Sequence, residues 1–235
     1  MTITTSAVDH PQPRLPGAAL VECIEVSRSF GPHFEVTALK AVSCLIGRQT
    51  RVALTGASGS GKSTLLYLMA GLDTPTSGAV RWPGLAGPPH ERPGTIGMVF
   101  QGPSLIPALN VIENVALPLL LAGLREQQAV ERACVALDRL TIGGLGSKLP
   151  GQLSGGQAQR VAVARVLASR PRLILADEPT GQLDHAAAEL VVSVLLAAAD
   201  ELGAALVVAT HDPVVAHRFP ARWSMSAGQI SVDRS

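Results

Sequence analysis

Short apolar runs, each closed by glycine or polar turn residues, alternate along this chain with longer stretches rich in alanine and leucine. Val21 to Phe30 alternates loosely between apolar and polar positions, which predicts a strand. Arg51 to Thr55 predicts a short apolar strand that runs into a glycine-rich turn, and Lys62 to Ala70 beyond it is apolar and suits a helix. Ile96 to Phe100 predicts a further strand. Leu173 to Ala176 and Ala205 to Thr210 are unbroken apolar runs, the pattern of strands covered on both faces. Ala186 to Leu202 lies between them and predicts a helix by length and alanine content. Val161 to Ala168 continues a helix begun near Ser154. This strand–helix alternation predicts an α/β fold with a parallel sheet covered on both sides. From Gly102 to about Gly151 the pattern changes. Leu119 to Leu140 is rich in Ala, Leu, Glu, Gln and Arg and predicts an inserted helical region. Residues 78–95, crowded with proline and glycine, predict turns and short strands at most.

Composition narrows the class. The chain has 235 residues, the size of one large domain, with 47% hydrophobic and 16% charged residues. A net charge of +1 offers no broad surface for nucleic acid, so none is expected as a partner. Cys23, Cys44 and Cys134 are far apart and form no CxxC pair, which argues against zinc and disulfides and suits a reducing cytosol. Residues 1–17 hold Pro11, Pro13 and Pro16 and lack the basic start and apolar run of a signal peptide; a disordered tail is expected there. The longest uncharged apolar run, Val115 to Leu124, contains Pro118 and Gly123 and falls short of the roughly 20 residues a bilayer requires. A membrane role would therefore need a second chain.

The chemistry begins at Gly56-Ala57-Ser58-Gly59-Ser60-Gly61-Lys62-Ser63-Thr64, which fits GxxxxGK[ST] between a predicted strand and a predicted helix. Glycines there let backbone N–H groups surround phosphate oxygens, and the helix start adds its partial positive charge. Lys62 is expected on the β- and γ-phosphates and the Ser63 hydroxyl on Mg²⁺. Lysine is scarce here: the others are Lys40 and Lys148, so one of three fills the required slot. A chance glycine-rich turn explains that poorly. Leu173-Ile174-Leu175-Ala176-Asp177-Glu178 then places two carboxylates at the C-terminal end of a buried strand, where ligands of parallel sheets gather. Asp177 is expected to hold Mg²⁺ with Ser63, and Glu178 to polarise the attacking water as general base. A strand ending in two acids means little by itself. Beside a phosphate loop it reads as the other half of a nucleoside triphosphatase site.

Leu153-Ser154-Gly155-Gly156-Gln157 opens another apolar helix, with Ser154 as N-cap and two glycines exposing N–H groups. A second anion site has little use in one chain unless two chains share nucleotides. With this motif in place the sequence, from about Val21 to Val232, resembles the ATP-binding subunit of ABC transporters. The resemblance implies a P-loop NTPase RecA-like core, an N-terminal antiparallel β-subdomain and an inserted α-helical subdomain of about 102–160, within one ATPase domain of 18–235. It also implies two ATP molecules held between the P-loop of one copy and Ser154, Gly155, Gly156 and Gln157 of a second copy. Gln101 resembles the glutamine that senses Mg²⁺ and the attacking water, and it begins the insert that touches the membrane partner. His211 resembles the switch histidine on the γ-phosphate. Asp184 resembles the aspartate that couples the two sites, and Phe30 stands where an aromatic stacks on adenine.

Pro103-Ser104-Leu105-Ile106-Pro107, Glu113-Asn114-Val115, Pro118 and the run Asp177 to Asp184 resemble the branch used for lipoprotein release, macrolide efflux and cell-division control. Gln182 stands where that branch has asparagine, Phe30 replaces a tyrosine, and residues 78–100 are about ten residues shorter. The implied protein is an ATPase peripheral on the inner face of the cell membrane. It pairs with a second copy and with an integral membrane permease, to which Val115 to Leu121 is expected to offer part of a docking surface. Two alternatives share the same head. One is an ATPase that signals through a membrane partner without transport. The other is a DNA-repair or translation ATPase, which would carry a coiled coil, zinc modules or tandem heads, none of which the sequence shows.

Overall fold

The computed structural model describes residues 19–31, 36–85 and 87–233, so the tail expected at 1–17 lies outside them. Two sheets organise the chain. A three-stranded antiparallel sheet has the order β2-β1-β4, from Val36–Ile46, Val21–Phe30 and Ser77–Arg81. A six-stranded sheet has the order β5-β6-β7-β3-β8-β9, from Ile96–Val99, Leu173–Asp177, Ala205–Thr210, Arg51–Thr55, Ala221–Ser226 and Gln229–Asp233. Its first five strands are parallel, and β9 closes it as an antiparallel hairpin with β8.

The unbroken apolar runs lie at the centre. Along β6, Leu173 and Leu175 face one core while Ile174 and Ala176 face the other. In β7, Val207 joins the first core and Leu206 and Val208 the second. One core lies under the antiparallel sheet and α1 (Lys62–Met69). The other lies under α2 (Val111–Leu121), α3 (Glu126–Arg139), α4 (Gly155–Ala168) and α5 (His185–Leu202). A strand with no solvent face has no polar position to spare, which is why no alternation showed in its sequence.

The helical stretch expected over Leu119 to Leu140 is two helices. α2 passes through Pro118 and ends at Leu121, and Gly123 turns the chain at φ 88° before α3 begins at Glu126. α2 starts earlier than its composition suggests because Asn110 and Glu113 form a reciprocal cap. The expected insert of about 102–160 ends within α4, which packs on α2 and α3 and also on β5 and α5. The short helix α6 (Pro213–His217) follows β7.

Candidate functional site

β3 ends at Thr55, and the chain turns through Gly56 to Gly61 into α1. Gly61 is the N-cap, at φ 106° and without a side-chain cap, so the first N–H groups of α1 stay available to a ligand. A Cβ on Gly61 would collide with the Ala38 carbonyl, so only glycine lets β2 and the loop lie so close. Lys62 is 7% exposed, and its Nζ donates to the carbonyls of Gly56 at 2.7 Å and Ala57 at 3.1 Å. The ammonium thus rests on its own loop, within reach of the space above it.

β6 delivers the carboxylates. Asp177 is 1% exposed, and neither of its oxygens accepts a hydrogen bond. Burial pushes its carboxyl above the ordinary aspartate value. The nearby Ser63 hydroxyl opposes the shift without bonding either oxygen, Glu178 adds to it and Lys62 opposes it. Such an orphaned acid is costly unless something joins it. Ser63 and Asp177 are the hard oxygen donors that suit Mg²⁺, which commonly takes only one or two carboxylates beside substrate phosphates. Among the described residues no three His, Cys, Asp or Glu gather as a metal cage.

Glu178 leaves the strand at φ 47°, a left-handed conformation that costs a non-glycine residue about 1–3 kcal/mol. One oxygen lies 3.8 Å from Lys62 Nζ, and the other lies 2.9 Å from His211 Nδ1 and accepts from the His211 backbone N–H at 3.4 Å. β7 positions His211 just past its end, with 68% of the side chain exposed.

Lys62, Ser63, Thr64, Gln101, Asp177, Glu178 and His211 together line one cleft with Ala57, Ser58, Gly59 and Gly61, of about 610 Å³. Gly56 and Ser60 belong to the same loop. The structure does not bring the remaining predicted residues there. Phe30 ends β1 with 41% of its surface exposed and the Arg28 guanidinium 4.5 Å from its ring centre. Ser154 caps α4, where its hydroxyl accepts from Gln157 N at 3.2 Å while Gln157 Oε1 accepts from Ser154 N at 3.0 Å. Gly155 and Gly156 lie under Gln182 and Leu183: a Cβ on Gly156 would stand 3.1 Å from a Leu183 methyl. Asp184 caps α5, accepting from Ala187 N at 2.8 Å.

The sequence singled out neither Ala38, Gln159 nor Arg165, and it named Asn114 only within the Glu113-Asn114-Val115 resemblance. Ala38 lines the cleft. Asn114, 1% exposed, accepts from Ile106 N and donates to three carbonyls, at Ile106, Leu109 and Asn110. Gln159 and Arg165 project from α4 onto the segment around Gln101. The available signal was polarity within a helix rich in alanine and valine. Val115 to Leu121 does not face outward as a whole, for Val115, Ala116 and Leu119 are buried while Leu120 and Leu121 are exposed.

Comparison with known proteins identifies the family. The ABC transporter family model matches residues 39–181. Curated relatives include the lipoprotein-releasing system ATP-binding protein LolD of Shewanella denitrificans, 40% identical over 204 residues that cover 84% of this chain and 88% of the relative. LolD 1 of Chlorobium chlorochromatii is 41% identical over 219 residues, covering 90% and 87%. Among solved structures, the dimeric post-hydrolysis state of the ATP-binding cassette MJ0796 bound to ADP and Pi superposes with a TM-score of 0.83 at 35% identity, covering 92% of this chain and 99% of that one. CbiO1 from Clostridium perfringens, part of the ABC transporter complex cbiONQ, gives 0.75 at 29% identity, covering 91% and 87%. The chain belongs to the ABC transporter family, as one of its ATP-binding, ATP-hydrolysing subunits.

Proposed function

We propose that this chain powers a membrane export complex of the lipoprotein-release or macrolide-efflux type, working as a head-to-tail pair on the cytoplasmic face of a separate membrane subunit. One observation carries the reading of a shared site. Ser154, Gly155, Gly156 and Gln157 stand outside the cleft that gathers the P-loop, Asp177, Glu178 and His211. A second copy, turned to face the first, supplies them.

In that pair, Lys62 leaves the Gly56 and Ala57 carbonyls for the β- and γ-phosphates, and the open N–H groups of α1 take phosphate oxygens. Ser63, Gln101 and Asp177 are the residues that would hold Mg²⁺, which neutralises phosphate charge when bound. Glu178, held between Lys62 and His211, accepts the proton of the attacking water. The His211 ring leaves its contact with Glu178 and turns to the γ-phosphate. Ser154 and the two glycines of the opposite copy close over that phosphate. Its loss on hydrolysis removes what joins the copies, so the pair opens. Phe30 stacks on the adenine, and Asp184 meets the opposite copy beside Gln182 and Leu183.

The membrane subunit finds a seat beside Gln101. Leu72, Phe100, Ile106, Leu117 and Leu121 line a groove of about 390 Å³, and Leu121 is 78% exposed. Such an apolar patch at a surface marks an interface. Among the described residues no helix is long and apolar enough to cross a membrane, so the spanning segments come from that subunit.

Glu178→Gln tests the shared site. Turnover should fall by about 100-fold or more, as for loss of a general base, while ATP still binds and an ATP-dependent dimer accumulates on size-exclusion chromatography. A variant that stays monomeric at saturating ATP refutes the reading.

A further inference from the structure

Arg28 and Phe30 stand two residues apart at the end of β1, and the guanidinium carbon of Arg28 lies 4.5 Å from the centre of the Phe30 ring. A cation therefore covers one face of the phenyl ring. What the ring has left to offer a ligand is its other face, and Phe30 is 41% exposed. The guanidinium is itself held. Arg28 Nε donates to Asp73 Oδ2 at 2.8 Å, and the two side chains are only 24% and 22% exposed. Asp73 is fixed in turn, for its Oδ1 accepts from the Thr74 N–H at 2.8 Å. Two further bonds pin the same stretch of chain to β1. The Thr76 N–H donates to the Ser27 carbonyl at 2.8 Å, and Thr76 Oγ1 accepts from the Ser29 N–H at 3.1 Å. An arginine that lays its plane on a ring and gives its edge to a carboxylate is oriented by two contacts at once.

Asp73 belongs to the chain that leaves α1, three residues beyond the Ala70 C-cap. The start of that helix offers its N–H groups to phosphate, and its eight residues advance only about 12 Å. One short helix thus holds the phosphate cradle at one end and, through Asp73 and Arg28, a ring at the other. Phe30 is in register with Val36, two residues from Ala38, which lines the cleft. That register places the ring at the rim of the cleft. We propose that Arg28 and Asp73 are positioning residues for the adenine of ATP: they hold Phe30 as a fixed, polarised plate on which the base stacks. A cation behind the ring draws π-density away from the open face, which otherwise repels the electron-rich face of adenine. It also fixes the ring before ATP arrives, so less freedom is lost on binding. The inference rests on the reading of Phe30 as the stacking partner of adenine.

Tripolyphosphate supplies the control, because it carries the phosphates of ATP and no base. Affinities of the full chain for ATP and for tripolyphosphate would be measured by isothermal titration calorimetry, with KM, kcat and thermal melting measured alongside. Arg28→Met should weaken ATP about fivefold and raise KM to match. Its kcat and its affinity for tripolyphosphate should stay within about twofold of wild type, a split that a merely structural role would not produce. Asp73→Asn should act in the same direction by about threefold, which keeps the test alive if Arg28→Met does not fold. In a Phe30→Leu chain, already weakened for ATP, Arg28→Met should cost nothing further, because the plate it backs is gone. The proposal is overturned by wild-type affinity for ATP in both Arg28→Met and Asp73→Asn. Equal losses for ATP and tripolyphosphate overturn it too, as does the full loss from Arg28→Met persisting beside Phe30→Leu. Wild-type affinity for ATP in Phe30→Leu alone would instead sink the stacking reading, and the inference with it.

Discussion

Two helices of this molecule begin at glycine-rich turns, and their first turns are finished in opposite ways. α1 starts at Gly61 with no side chain over its N–H groups, beside a lysine resting on its own loop and an aspartate with no partner. α4 starts at Ser154 under a reciprocal cap that satisfies both Ser154 and Gln157. The first arrangement holds unsatisfied polarity in a cleft and gains a great deal when phosphate and cation arrive. The second is stable as it stands and gains only what a neighbour's ligand adds. One chain therefore carries a half-site that binds and a half-site that waits. The difference makes ATP binding a property of the single copy and cage closure a property of the pair.

The sharpest break of this comparison is Lys62→Met. Removing the ammonium takes away a charge-assisted contact to two phosphates, worth about 3 kcal/mol, so ATP affinity should fall by about 100-fold. Equilibrium dialysis of the monomer measures it. Affinity within threefold of wild type would show that the lysine stays on its loop when nucleotide binds.

A subtler break separates the cap of α4 from its work in the pair. Ser154→Ala confounds the two, because loss of an N-cap costs about 1 kcal/mol by itself. Ser154→Asp does not: aspartate caps as well as serine, and its charge suits a helix N-terminus. Melting should stay within about 2 °C of wild type and monomer affinity for ATP should be unchanged. ATP-driven dimerisation of the Glu178→Gln protein should weaken at least about tenfold, since a carboxylate would face the partner's γ-phosphate. Sedimentation equilibrium of Glu178→Gln with and without Ser154→Asp decides it. An intact dimer would mean that Ser154 touches no phosphate.

What the sequence made legible follows the same division. The P-loop, Asp177 and Glu178 were readable because their chemistry demands fixed residue types at the ends of apolar strands, His211 only through the family resemblance, and the structure gathers them in one cleft. The antiparallel sheet was half legible. β1 alternates loosely, but β2 is interrupted at Ala41, whose φ of 47° breaks the period. The β8–β9 hairpin is short and polar at its tips and gave no periodic signal. Gln159 and Arg165 showed only as polar positions on a helix, because their meaning lies in which carbonyls they reach across about 60 residues of chain, a relation no local pattern encodes.

The smallest predicted effect concerns what the binding half gives up in stability. Asp177 is buried, unpartnered and shifted upward in pKa, chiefly by desolvation. The folded chain therefore holds this proton more tightly than the unfolded chain. The group's contribution is most favourable below the ordinary aspartate pKa and is lost as pH rises through its folded value. At pH 7.5 the free protein bears the whole penalty. Asp177→Asn keeps the shape and removes the charge, so with EDTA present it should melt about 3 °C higher than wild type. That advantage should shrink as the pH is lowered through the raised folded-state value, where wild-type Asp177 takes up its proton. Adding Mg²⁺ and ATP should reverse the order at pH 7.5, because the orphaned carboxylate then has its partner and the amide does not. Scanning calorimetry across pH, with and without nucleotide, reads both signs. A variant less stable than wild type at neutral pH without ligand would show that Lys62 and Ser63 already outweigh the burial of Asp177.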